Sequence, residues 1–188
     1  MRFILFDRIV ELQKGRAAVL IKNVSQSEDY FTDHFPGYPI VPGSIILGSF
    51  EQGAEILLAA SFDFSLLPAL KSLSKVSLRR FVVPGDQIEI TLTMDAALPT
   101  RETKGSGVLT PRLPTPLAPR EMSRTVKALG KVQGRRVADA RLDFSLEQTA
   151  GKPELVATCE RLRRLYELMT SSPVTNVWGL WEGQSSVK

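Results

Sequence analysis

His34 is the chain's only histidine, and it opens the run His-Phe-Pro-Gly-Tyr-Pro-Ile-Val-Pro-Gly over residues 34–43. A neutral imidazole is the usual side chain for taking a weakly acidic proton near pH 7. Pro36, Pro39 and Pro42, with Gly37 and Gly43, restrict the backbone that carries it. Gly43 stands where an apolar, helix-like run begins. Free N–H groups and the positive end of a helix dipole are available at such a point. A base held in a rigid turn beside unpaired donors is the chemistry this stretch offers. Taken alone, an isolated histidine is more often a structural residue; the frame around it is what argues for a functional one.

The elements that position this stretch follow from periodicity. "RFILFDRIVEL" and "RAAVLIKNV", separated by "QKG", predict a hairpin. "SQSEDYFTDHF" predicts a brief helical turn capped by Ser25 or Ser27. Residues 44–60 carry Ile45, Ile46, Phe50, Ile56, Leu57 and Leu58 around much of a helical circumference, which predicts a mostly buried helix. After a loop near "DFSLLPA", "LKSLSKVSLRRFVV" and "QIEITLTM" alternate as strands about a turn at Pro84–Asp86. Residues 96–121 hold five prolines and read as a loop or disordered insertion that sustains no ladder. Two further strands join at "QGR". A helix with Leu155, Leu162, Leu165 and Leu168 near one stripe follows, then a tail with Trp178 and Trp181. One long apolar helix among antiparallel strands is an α+β arrangement, a curved sheet wrapped around a central helix. The expected organisation is a single domain over 1–150 with the insertion at 96–121, and a C-terminal helix and tail over 151–188.

Composition narrows the functional classes. At 188 residues with 43% hydrophobic content, the chain can build a core of its own. A net charge of +4 permits an acidic partner but does not argue for nucleic acid. One cysteine, Cys159, allows no internal disulfide, and no leader-like segment is evident, so a cytoplasmic setting is expected. No apolar run is long enough to predict a membrane span. One His and one Cys are too few for a metal site, and the GxGxxG dinucleotide fingerprint is absent.

The ten-residue stretch from His34 to Gly43 resembles the signature of hotdog-fold 3-hydroxyacyl-[acyl-carrier-protein] dehydratases of bacterial fatty-acid synthesis. "FDRIVEL", "IKNVS", "RRFVVPGDQIEI" and "GKVQGRRVADARLDFSL" resemble that family's flanking strands, so the similarity covers about residues 2–95 and 122–147. The resemblance implies a hotdog fold and removal of water from 3-hydroxyacyl thioesters to give trans-2-enoyl thioesters. It implies His34 as base, the Gly43 N–H as donor to the thioester carbonyl, and Gln52 at the substrate; Tyr38, inside the motif, either lines the mouth of the substrate tunnel or only packs, packing being the plainer reading. The acyl group would ride on the phosphopantetheine of acyl carrier protein, with no other cofactor. Arg79 and Arg80, with Lys71 and Lys75, are candidates to receive that acidic carrier. A solvated strand face is the plainer account of them.

The resemblance also implies a carboxylate fourteen residues after the histidine, where this chain has Gly48. Three readings stay open. Glu51 substitutes, being about 60° round the helix and roughly 4.5 Å further along, with a side chain that leans back toward residue 48. Alternatively, His34 acts alone or through water. In the third reading, the chain is a non-catalytic or half-catalytic subunit that binds acyl chains or scaffolds an acid-bearing paralogue. The family builds its sites across a dimer, so a homodimer, a trimer of dimers or a heterodimer is expected.

Overall fold

The computed structural model describes residues 4–95, 100–102, 109–111 and 122–170. Six antiparallel strands form one sheet: β1 (Arg8–Gln13), β2 (Ala17–Asn23), β3 (Leu66–Leu78), β4 (Gln87–Met94), β7 (Ser123–Val132) and β8 (Arg135–Gln148). Their spatial order is β1-β2-β4-β7-β8-β3, so β1 and β3 are the two edges. A short pair, β5 (Thr100–Glu102) and β6 (Leu109–Pro111), stands apart. Helix α1 spans Gly43–Ser61 and α2 spans Pro153–Thr170.

Strand alternation decides which way each side chain points. In β4, Ile88, Ile90, Leu92 and Met94 face inward while Gln87, Glu89 and Thr93 face out. In β8, Ala138, Ala140, Leu142, Phe144 and Leu146 do the same over a strand of 14 residues. The inner face receives α1, whose Phe50, Ala54 and Ile56 through Ala60 have no solvent exposure. Helix and sheet approach closely at Gly53, where a Cβ would come within 2.9 Å of Leu92 Cδ1 and 3.0 Å of Leu20 Cδ1. The connection from α1 to β3 carries the chain across the sheet to the edge opposite β1. This is the predicted α+β architecture with the helix as its core.

Helix α2 packs against α1, β1 and β3. It buries Cys159, Leu162 and Leu165. The Arg163 guanidinium lies 5.2 Å from the Phe64 ring centre and donates to the Asp63 carbonyl at 3.3 Å.

Several expectations need correction. β3 begins at Leu66, inside the stretch expected to be a loop, and ends at Leu78, before "RRFVV". Pro68 lies within it, which an edge strand tolerates because one row of its backbone groups needs no partner. Ser25 and Ser27 do not cap the 3-10 turn at Asp29–Thr32; its N-cap is Glu28, and the two serines bond each other at 2.8 Å. Leu168 is exposed, and Cys159 occupies the buried stripe instead. Prolines do not exclude pairing from the 96–121 segment: Thr100, Arg101 and Glu102 pair with Pro111, Thr110 and Leu109. The ladder ends at Pro111, so its missing N–H interrupts nothing beyond it. The rest of that segment, and Trp178 and Trp181, lie outside the described residues.

Because Phe50 is fully buried between α1 and the sheet, Phe50→Ala is expected to lower unfolding free energy by about 3–5 kcal/mol. Urea denaturation measures this. A loss under about 1 kcal/mol would mean that the helix is not the packed centre of the fold.

Candidate active site

The segment from Phe35 to Tyr38 is a tight turn, with Tyr38 N–H donating to the Phe35 carbonyl at 3.0 Å and the reverse bond at 3.3 Å. Pro36 supplies its fixed φ, and Gly37 takes φ +79°, the left-handed value wanted at the third position. Further bonds lock His34 beneath it. His34 N–H donates to Tyr30 O at 3.0 Å, and Ile40 N–H donates to His34 O at 3.2 Å. The Phe35 ring stacks on the imidazole at 4.5 Å between centres.

The ring's own hydrogen bond fixes its tautomer. His34 Nδ1 lies 3.0 Å from the Ile40 carbonyl oxygen. A carbonyl can only accept, so Nδ1 carries the proton and donates it. In the neutral ring Nε2 is then the unprotonated nitrogen, available as a base. His34 is half-buried and lines a cavity of about 410 Å³ with Ile40, Gly43, Leu78, Arg79 and Arg80 among its walls.

Gly43 is the first residue of α1, after Pro42 as N-cap. Pro42 O accepts from Ile45 and Ile46, while the Gly43 N–H, at the start of the helix, has no preceding turn to bond. It opens on the same cavity as His34. A Cβ here would lie 2.3 Å from Leu78 Cδ1, so a larger residue would require the exposed Leu78 side chain to turn aside. The cavity therefore joins a base and a helix N-terminus, a pairing suited to removing a proton beside a carbonyl and holding the negative charge that develops.

The remaining sequence candidates separate. Arg79 and Arg80 line the cavity, and Arg79 is paired to Asp139 at 2.9 Å. Lys71 and Lys75 are exposed on β3. Tyr38 is outside the cavity walls, exposed, and edge-on to Phe81 at 6.4 Å. Gln52 is also outside them: it is buried, and its Oε1 accepts from Leu5 N–H at 2.9 Å. Through this bond Gln52 also ties the N-terminal segment to α1. Glu51 is half-buried one turn before Glu55 and is not on the His34 cavity of its own chain.

Sequence reasoning did not find what occupies the place of the absent carboxylate. A Cβ on Gly48 would come within 2.8 Å of Leu5 Cδ1. Ser49 Oγ donates to Leu5 O at 2.7 Å, so Ser49 and Gln52 hold the Leu5 backbone from both sides. An aliphatic side chain lies where the resemblance called for an acid. The signal was slight: only Gly48 flanked by Ser49 and Gln52.

Alanine is favoured over glycine inside a helix by about 1 kcal/mol, whereas here its methyl meets Leu5. Gly48→Ala is accordingly expected to gain clearly less than about 1 kcal/mol in the native background and close to that gain beside Leu5→Ala. Equal gains in both backgrounds, by urea denaturation, would show that Leu5 does not press on residue 48.

The ApeI-like family, described as ApeI dehydratase, matches residues 10–103, half of the chain and all of the His34–Gly43 motif. The 3-hydroxyacyl-[acyl-carrier-protein] dehydratase FabZ of Pelotomaculum thermopropionicum is 41% identical over 93 residues, which are 49% of this chain and 66% of that protein. The FabZ of Bacillus velezensis is 32% identical over 145 residues, covering 77% of this chain and 87% of its own. The chain thus spans slightly under two thirds of the Pelotomaculum relative and most of the Bacillus one. Among solved structures, smu.793 from Streptococcus mutans bound to acetyl CoA aligns with a TM-score of 0.53 at 13% identity, over 79% of this chain and 94% of the other. A hot-dog-like protein from Thermanaerovibrio acidaminovorans aligns with a TM-score of 0.51 at 14% identity, over 80% and 93%. These two bear on the fold, which is the hotdog. With the family match and the coverage of the Bacillus relative, the chain belongs to the ApeI-like, FabZ-related hotdog dehydratases.

Proposed function

We propose that this chain dehydrates 3-hydroxyacyl thioesters carried on acyl carrier protein to trans-2-enoyl thioesters, in fatty-acid or related acyl biosynthesis in the cytoplasm. The observation that carries this reading is the His34 Nδ1 bond to Ile40 O, beside the open Gly43 N–H in one cavity. His34 Nε2 takes the hydrogen from the carbon next to the thioester carbonyl. The C–H electron pair moves toward the carbonyl oxygen, which the Gly43 N–H holds. The pair then forms the new carbon–carbon double bond as the C–OH bond breaks. A proton must reach the departing hydroxide to make water.

The source of that proton is where this chain differs from the family pattern. Gly48 cannot supply it. The proton on the His34 imidazolium can be returned directly, and Glu51 is the candidate acid on α1. The absence of a carboxylate at residue 48 favours a second reading, in which an acid-bearing hotdog chain completes the site and this chain contributes His34. Both readings need an assembly. β3 is a bare sheet edge with Leu73, Val76 and Leu78 exposed, which supports pairing into a two-fold dimer, alone or grouped in threes. Arg80, which makes no ion pair among the described residues, stands beside the cavity for the carrier's phosphate. No cofactor beyond the carrier's phosphopantetheine enters this scheme.

Hydration of a crotonyl thioester, the reverse reaction, tests the proposal. His34→Ala is expected to reduce it by about 10²–10⁴-fold while the thermal melt stays within a few degrees. Glu51→Gln is expected to cost about 10²-fold only if Glu51 supplies the proton. Native activity unaffected by His34→Ala would end the proposal.

A further inference from the structure

A second cavity, of about 690 Å³, lies between the middle of α1, the start of β3 and helix α2. It shares no lining residue with the cavity of His34. Its volume is ordinary for a small-molecule site. Leu67, Pro68 and Ala69 form one wall, Leu162 and Leu165 another. Two cations, Arg161 and Arg164, lie along its α2 side.

Glu55 projects from α1 into this apolar space. Among the described residues its carboxyl makes no hydrogen bond and no ion pair. Arg161 donates instead to Thr158 Oγ1 at 3.0 Å, and Arg164 is 3.9 Å from Glu160. Burial first, and the neighbouring Glu51 second, raise the Glu55 pKa to about 7. Among the described residues, the charged groups around it are Glu51 on its own helix and Arg161 and Arg164 on α2, while Ile4 and β3 residues Leu67, Pro68 and Ala69 present apolar side chains. The cavity thus has an apolar body, a cationic rim and an internal carboxyl with no partner of its own.

From the cavity, its cationic rim and its apolar walls, we infer that this site binds an aliphatic carboxylate, with its chain between β3 and α2 and its head group at Arg161 and Arg164. A protonated Glu55 leaves the cavity uncharged within, so the chain enters without facing a buried anion. As the pH rises through 7, Glu55 ionises, draws in water and repels the ligand's own charge. Affinity is then greatest below pH 7 and falls above it. The inference is independent of the dehydration reading, because it uses none of the residues around His34.

Decanoate titrated into the full chain by isothermal calorimetry at pH 6 and pH 8.5 is the test. Binding at pH 6 is expected, weakening about tenfold or more at pH 8.5. Glu55→Gln should bind at both pH values with that difference abolished. The pair Arg161→Glu and Arg164→Glu, exposed and free of core packing, should weaken decanoate about tenfold or more and leave decanol unchanged. His34→Ala should bind decanoate as the native chain does. Absence of decanoate binding at pH 6 would overturn the inference. So would equal binding of decanoate and decanol with no effect of the arginine changes, and so would loss of binding in His34→Ala, which would put the ligand in the other cavity.

Discussion

A helix that is apolar on nearly every side can lie only inside something. In this chain that constraint sets the rest. α1 buries Phe50, Ala54, Ile56 and Leu57 completely, and the sheet must curve around it to do so. Burial of apolar surface on this scale is the dominant favourable term in folding. It also fixes where the helix begins. Pro42 ends the preceding turn and Gly43 starts the helix, so the unpaired N–H is delivered beside His34. The core and the candidate active site are consequences of one packing arrangement, in which Leu78 of β3 lies against Gly43 at the start of the helix.

The same helix carries glycine at residue 48, where the family resemblance implies a carboxylate. Leu5 Cδ1 lies 2.8 Å from where a Cβ at residue 48 would stand, and Ser49 and Gln52 bond the Leu5 backbone on either side. Glycine at 48 and the placement of residues 4–6 are therefore one feature. An acid placed there would require the Leu5 side chain to turn aside. One turn beyond Glu51, Glu55 carries an acidic group into a different cavity, where burial rather than catalysis explains its raised pKa.

Much of this was legible in the residues. Alternation in "QIEITLTM" and in the "QGR" hairpin fixed strands β4, β7 and β8, because each has one buried face. The length and apolarity of residues 44–60 fixed α1 to within a residue at each end. The motif fixed the His34 turn, since proline and glycine restrict backbone angles locally. What the residues did not reveal depends on contacts distant in sequence. Leu66 to Ala69 look like a loop until β8 is beside them to pair with. The bond between Gln52 and the Leu5 backbone joins residues 47 apart in the chain, which no local pattern shows. The His34 tautomer depends on the carbonyl of Ile40, whose position no side-chain pattern encodes.

The account rests on His34 presenting Nε2 as a free base while Nδ1 donates to Ile40. The chain has a single histidine, so its ring nitrogens can be read without assignment ambiguity. Long-range ¹⁵N–¹H correlation spectra of the uniformly labelled protein, recorded with the ring neutral, measure the tautomer directly. The account predicts the Nδ1–H form, with the Nε2 resonance at the position of an unprotonated nitrogen. A neutral ring found with its proton on Nε2 would contradict it, because the nitrogen facing the substrate would then have no lone pair to accept a proton.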